Sequence, residues 1–124
     1  MIEPTDAKKM AALFAAVAEP TRVQVIHHLT NGPMHVGKLA ELVGIPIVNM
    51  SHHLGVMRQA GVLDDNKHGR RVVYSIRKDI YSPGDDEHVG ILTFGRYRIS
   101  LRRHPTAIPV PGPFGGKKMK KSQT

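Results

Sequence analysis

Through the first sixty residues apolar side chains recur at the three-and-four spacing of helices, and beyond that point they alternate. Met10, Leu13, Phe14 and Val17 place one apolar stripe on a helix over 5–18, with Thr5 positioned to cap it and Asp6 near the positive end of its dipole. Glu19-Pro20 interrupts that helix. Pro20 suits the first position of the next, where its missing N–H would be unpaired anyway. Val23, Val25, Ile26 and Leu29 carry the core side of this second helix, and Asn31-Gly32-Pro33 ends it. A short third helix follows in HVGKLAELVG. Val36, Leu39, Leu42 and Val43 share a face, and Gly44 stands where a left-handed terminal residue is wanted. Ile45 and Pro46 separate it from a fourth helix over about 46–60. Ile47, Met50, Leu54 and Met57 form its buried side, and Val48, Ser51, His52, Gly55 and Gln59 the opposite arc. Two short helices joined by a tight glycine-containing turn have the layout of a helix-turn-helix.

After Gly61 the period changes. VLDDNKHGRRVVYSI reads as two strands around a cationic tip, Lys67-His68-Gly69-Arg70, with Val72, Tyr74 and Ile76 on one face. A hairpin directly after a helix-turn-helix is a wing. SPGDDE then reads as a linker, and VGILTFGRYRISLRR resumes β character. A glycine-first turn at Gly95-Arg96 would set Phe94 opposite Tyr97, Leu92 opposite Ile99 and Gly90 opposite Leu101. The pattern predicts an α+β chain in three parts. These are a winged helix-turn-helix over 5–81, an additional β-hairpin over 88–103, and a Pro/Gly-rich, then Lys-rich tail over 104–124 that cannot supply a core and is expected to be mobile.

Length and charge narrow the function. The 124 residues suffice for one domain with a modest core. Formal charge is +8, and no acidic residue follows Glu87, which favours a polyanionic partner. There is no cysteine, so disulfides and thiolate metal sites are excluded. No apolar run approaches the roughly 18 residues of a membrane span, and the opening MIEPTDAKK does not read as a signal peptide, so a cytoplasmic location is expected.

The adjacent histidines of NMSHHLGVMRQAGVL raise the question of chemistry. A metal would need a second ligand three or four positions away on the same face, and His53 finds Asn49 and Val56 there. A reaction would need a partner held beside the imidazole, and adjacent residues such as Ser51 and His52 do not face each other on a helix. No nucleophile, carboxylate pair or phosphate loop is evident either. The sequence thus offers no catalytic residue, no metal ligand set and no cofactor. It does offer hydroxyl and imidazole groups on the second helix of a helix-turn-helix, a chemistry suited to base edges and phosphates in a major groove.

AEPTRVQVIHHLTNG, HVGKLAELVGI, MSHHLGVMRQAGVL and HGRRVVYSI, in that order and spacing over roughly residues 10–78, resemble the ArsR-type family of bacterial winged helix-turn-helix repressors. The resemblance implies a homodimer on a palindromic double-stranded DNA operator, released by metal or another inducer. By position it puts recognition-helix contacts on Ile47, Val48, Asn49, Ser51 and His52, with His53 just behind. Wing contacts fall on Lys67, His68, Arg70 and Arg71. The chain also departs from the family. Pro46, Ile47 and Val48 stand where polar residues are usual, and can read a thymine methyl but not hydrogen-bond a base. The family's cysteine site corresponds to Met34-His35-Val36-Gly37-Lys38, which has none. A second family site on a C-terminal helix corresponds to Asp85, Asp86 and His88, beside Gly84 and with no helix to space them. With that helix replaced, dimerisation is expected through 5–18, whose apolar stripe must be covered, with or without the second hairpin. Two other readings stay open: a non-specific or architectural nucleic-acid binder, and a winged helix used as a protein-interaction module.

Overall fold

A computed structural model of the protein describes residues 2–85 and 88–102, excluding the side chain of His88. The 104–124 tail lies outside the described residues. Four helices come first: α1 (Pro4–Val17), α2 (Pro20–Leu29), α3 (Val36–Val43) and α4 (Ile47–Gln59). α1 starts earlier than expected, because Pro4 occupies its first turn and Glu3 becomes the cap position, without a side-chain bond. Thr5 is therefore inside the helix and is not its cap. Pro20 opens α2 as expected, and here the preceding Glu19 does cap, its Oε1 accepting from the Arg22 backbone N–H at 2.9 Å. Gly44 ends α3 at φ +82°, with its N–H donating to the Ala40 carbonyl at 2.8 Å.

Three apolar residues of the helices, and Val72 in the wing, depart from the expected burial. Val25, Ile26 and Leu29 are buried, but Val23 is exposed, since the buried arc of α2 centres on the other three and leaves it on the far flank. Likewise Leu42 is partly exposed, because burial of α3 centres between Leu39 and Ala40. Ile47, at the open end of the α4 stripe, is half exposed, whereas Met50, Leu54 and Met57 are wholly buried.

The wing forms as β2 (Leu63–His68) and β3 (Arg71–Ile76), paired from Leu63↔Ile76 to His68↔Arg71 around Gly69-Arg70. A third strand, β1 (Met34–His35), adds to the other side of β3 through Met34↔Tyr74 and His35↔Val73. Two residues are too short to show a period, so this strand is invisible to pattern reading. A second antiparallel sheet has the order β4 (Tyr81–Pro83), β5 (His88–Phe94), β6 (Tyr97–Arg102). Its β5–β6 register is the expected one, with Phe94↔Tyr97, Leu92↔Ile99 and Gly90↔Leu101, and Gly95 takes φ +64° in the turn. The expected linker at 82–87 needs correction: Ser82 and Pro83 belong to β4, with Pro83 on an edge strand where its missing donor costs no ladder bond. Opposite Pro83, Gly90 has no room for a side chain, since a Cβ there would meet the Tyr81 ring and stand 2.6 Å from the Ser82 carbonyl oxygen.

The second sheet is not a loose appendage. Leu92 and Phe94 are buried in the same cluster as Val25, Leu39, Leu54 and Ile76. Phe14 of α1 meets Phe94 edge-on at 5.0 Å between ring centroids and Tyr97 at 5.5 Å. The apolar stripe of α1, expected to face a second copy, is thus covered from within by β5 and β6.

Candidate nucleic-acid interface

The α4 helix is anchored by one face. Met50, Leu54 and Met57 fall at i, i+4 and i+7 and are wholly buried, which fixes the rotation of the helix about its axis. That rotation turns Val48, Asn49, Ser51 and His52 to solvent. Val48 is 75% exposed and Ile47 51%, an unusual exposure for two large aliphatic residues on one turn. Ser51 and His52 therefore lie on the outward arc, as the helical spacing predicts.

His53 behaves differently. It is part-buried, and its Nδ1 accepts from Nε of Arg22 at 3.1 Å, which puts the ring proton of the neutral form on Nε2. The same Arg22 donates from Nη1 to the Ala16 carbonyl at 3.3 Å, and Glu19 Oε1 lies 3.9 Å from His53 Nδ1. Glu19, Arg22 and His53 together tie the α1–α2 junction to α4. His53, expected just behind the DNA contacts, is engaged in holding the helix. Glu19 and Arg22 escape pattern reading because their partner His53 lies more than thirty residues away; the one local signal was an acidic residue three before a backbone N–H at a helix start.

In the wing, Lys67, His68 and Arg70 are exposed at the tip. Arg71 is also exposed, but its Nη1 stands 3.0 Å from Nε2 of His35, the cap residue of α3. Nδ1 of His35 lies 3.2 Å from the Lys38 backbone N–H. A neutral imidazole has one acceptor nitrogen, so His35 accepts from the helix or from the wing, one at a time. The base of the wing is held by ion pairs, Arg58 Nε to Asp65 Oδ2 at 3.7 Å and Arg77 Nη1 to Asp64 Oδ1 at 3.3 Å. Arg77 also donates to both oxygens of Asp79, at 3.0 and 3.3 Å. Those hydrogen bonds hold the Asp79 carboxyl below its ordinary range and raise the guanidinium in turn. Expected contacts thus fall into two groups, an arc on α4 and a cationic tip on the wing, joined through Arg58 and Asp65.

Elsewhere, Arg98 and Arg102 alternate along β6 with the half-buried Ile99 and Leu101. Of the second metal site considered, Asp86 and the His88 side chain lie outside the described residues. No helix among the described residues is long and apolar enough to cross a membrane.

A helix pair joined by a tight turn, with the second helix exposed on one arc and followed by a cationic hairpin, defines a winged helix-turn-helix protein. A family profile described as a helix-turn-helix domain matches residues 17–66. The chain is 37% identical over 70 residues to the HTH-type transcriptional regulator NmtR of Mycobacterium tuberculosis, covering 56% of this chain and 58% of NmtR. It is 34% identical over 71 residues to the transcriptional repressor SdpR of Bacillus subtilis, covering 57% of this chain and 79% of SdpR. Among solved structures it is similar to the ArsR family transcriptional regulator RHA00566, with 27% identity and a TM-score of 0.55 over 63% of this chain and 78% of that one. The chain belongs to the ArsR-type family of winged helix-turn-helix transcriptional regulators.

Proposed function

We propose that the protein is a cytoplasmic, sequence-specific repressor that binds double-stranded DNA as a homodimer. Ile47, Val48, Asn49, Ser51 and His52 read the major groove, and Lys67, His68 and Arg70 grip the backbone or minor groove alongside. The observation that carries this reading is the split of α4 into a wholly buried seam and an outward arc combining exposed aliphatic, hydroxyl and imidazole groups. An exposed valine beside a serine and a histidine fits thymine methyls next to hydrogen-bonding base edges. His53 and Arg71 make no base contact in this reading, being held to the rest of the fold by Arg22 and His35. The protein performs no reaction of its own in this reading; it acts by occupying DNA.

Because the inner stripe of α1 is covered by β5 and β6, dimerisation through 5–18 would use its outer side, where Ala11, Ala12 and Ala15 are exposed. A two-fold assembly demands a two-fold operator with half-sites about one helical turn, roughly 34 Å, apart. Selection of bound duplexes from a random pool tests the reading: an enriched palindrome with such spacing supports it. A pool retained at low salt and released as salt rises, with no enriched sequence, favours the second reading, a non-specific binder driven by the +8 charge.

A further inference from the structure

Away from the DNA-facing arc, a recess of about 470 Å³ opens where α1, the chain just before β4 and the β5–β6 turn converge. This volume falls within the range of small-molecule sites, roughly 300–1,000 Å³. Its floor is apolar, built from Ile2, Met10, Leu13 and Ile80, of which Met10 and Ile80 are buried. Its walls are tied together by two contacts. The Arg96 backbone N–H donates to Met10 Sδ at 3.4 Å, and the Thr93 N–H donates to the Ile80 carbonyl at 2.7 Å.

Four charged side chains surround that floor: Asp6, Lys9, Asp79 and Arg96. Asp79 is already engaged, since both its oxygens accept from Arg77. Among the described residues no hydrogen bond or ion pair holds the side chains of Asp6, Lys9 or Arg96. Two cations and one anion are left to meet a ligand, an excess of one positive charge over an apolar floor.

We propose that this recess binds a small apolar monocarboxylate, its hydrocarbon body against Met10, Leu13 and Ile80 and its head between Lys9 and Arg96. A charged head is required because the site's surplus is charge, and a charge-assisted bond is roughly twice as strong as a neutral one. A single negative charge is required because Asp6 opposes a second. The site is read by ligand binding alone, without DNA, so failure of one reading leaves the other standing.

The test uses the full chain with methyl-labelled methionine, titrated with phenylacetate and hexanoate and followed at the Met10 methyl by NMR. Phenylacetamide serves as the neutral probe and phenethylamine as the cationic one. The expected result is a saturable Met10 shift with at least one carboxylate, weakened roughly tenfold for the amide and the amine, a factor corresponding to about 1.4 kcal/mol. K9E and R96E, both at exposed positions, should weaken binding by a similar factor. R98E makes the same charge change on exposed β6 outside the recess and should leave binding unchanged. Absence of a saturable shift up to about 10 mM of either carboxylate, an affinity too weak for a built site, overturns the proposal. So does equal binding of the amide, or an equal loss in R98E.

Discussion

His52 and His53 are neighbours in the chain, yet one helical step separates a solvent-facing imidazole from one clasped by Arg22 at 3.1 Å. That step gives them different jobs. H53A removes an acceptor from a part-buried guanidinium and should cost about 1 kcal/mol of stability, measured by urea unfolding, while the preference for one duplex over another stays as in the parent. Asp79 makes a second residue-scale prediction. Its carboxyl titrates below its ordinary value because Arg77 hydrogen-bonds its charged form. A depressed folded-state pKa means the pairing stabilises the fold above the unfolded value, near 3.8, and is lost as pH falls through the folded one. D79N should therefore be less stable than the parent at neutral pH, and the two unfolding curves should converge in acid. The difference should be small, since Asp79 is mostly exposed.

Among the elements, those with a period were legible in the sequence and those without were not. The β5–β6 register followed from alternation on either side of Gly95-Arg96. The outward placement of Ser51 and His52 followed from the spacing of Met50, Leu54 and Met57. By contrast, β1 and β4 span two and three residues, too few to show alternation, and each exists because a neighbouring strand offers it a ladder. Val23, Leu42 and Ile47 were misplaced because periodicity defines a face but not how wide a strip of it the neighbours cover. The contacts of His35 with Arg71 and of His53 with Arg22 were illegible for another reason, since each joins residues more than thirty positions apart. At this scale the wing makes its own prediction. Lys67 and Arg70 are exposed cations at the tip, in no ion pair among the described residues, so K67A and R70A should weaken binding to all duplexes alike. If each contacts one phosphate, the log–log salt dependence should flatten by roughly 0.9 per residue, as read by fluorescence anisotropy at several salt concentrations.

Taken whole, the molecule shares one core between the helix-turn-helix and the second sheet. The sequence suggested a hairpin appended to a finished domain, but Phe94 is wholly buried and packs on Phe14. F94A should therefore cost about 3–5 kcal/mol, and the loss should appear in one cooperative unfolding transition recorded by circular dichroism. Two separate transitions would mean that the sheet folds by itself. The β5–β6 sheet now covers α1, and the recess at their junction joins elements that a family resemblance confined to residues 10–78 could not anticipate.

The central claim is that the outward arc of α4 reads sequence while the wing supplies affinity. It is tested most directly by the ratio of affinities for a selected duplex and a random one, measured in the parent, in S51A/H52A and in K67A/R70A. The parent ratio should reach about a thousandfold or more. S51A/H52A should lower that ratio by roughly 1–3 kcal/mol per lost base contact, whereas K67A/R70A should weaken both duplexes and leave the ratio intact. A parent ratio near one, or a ratio unchanged in S51A/H52A, would contradict the account.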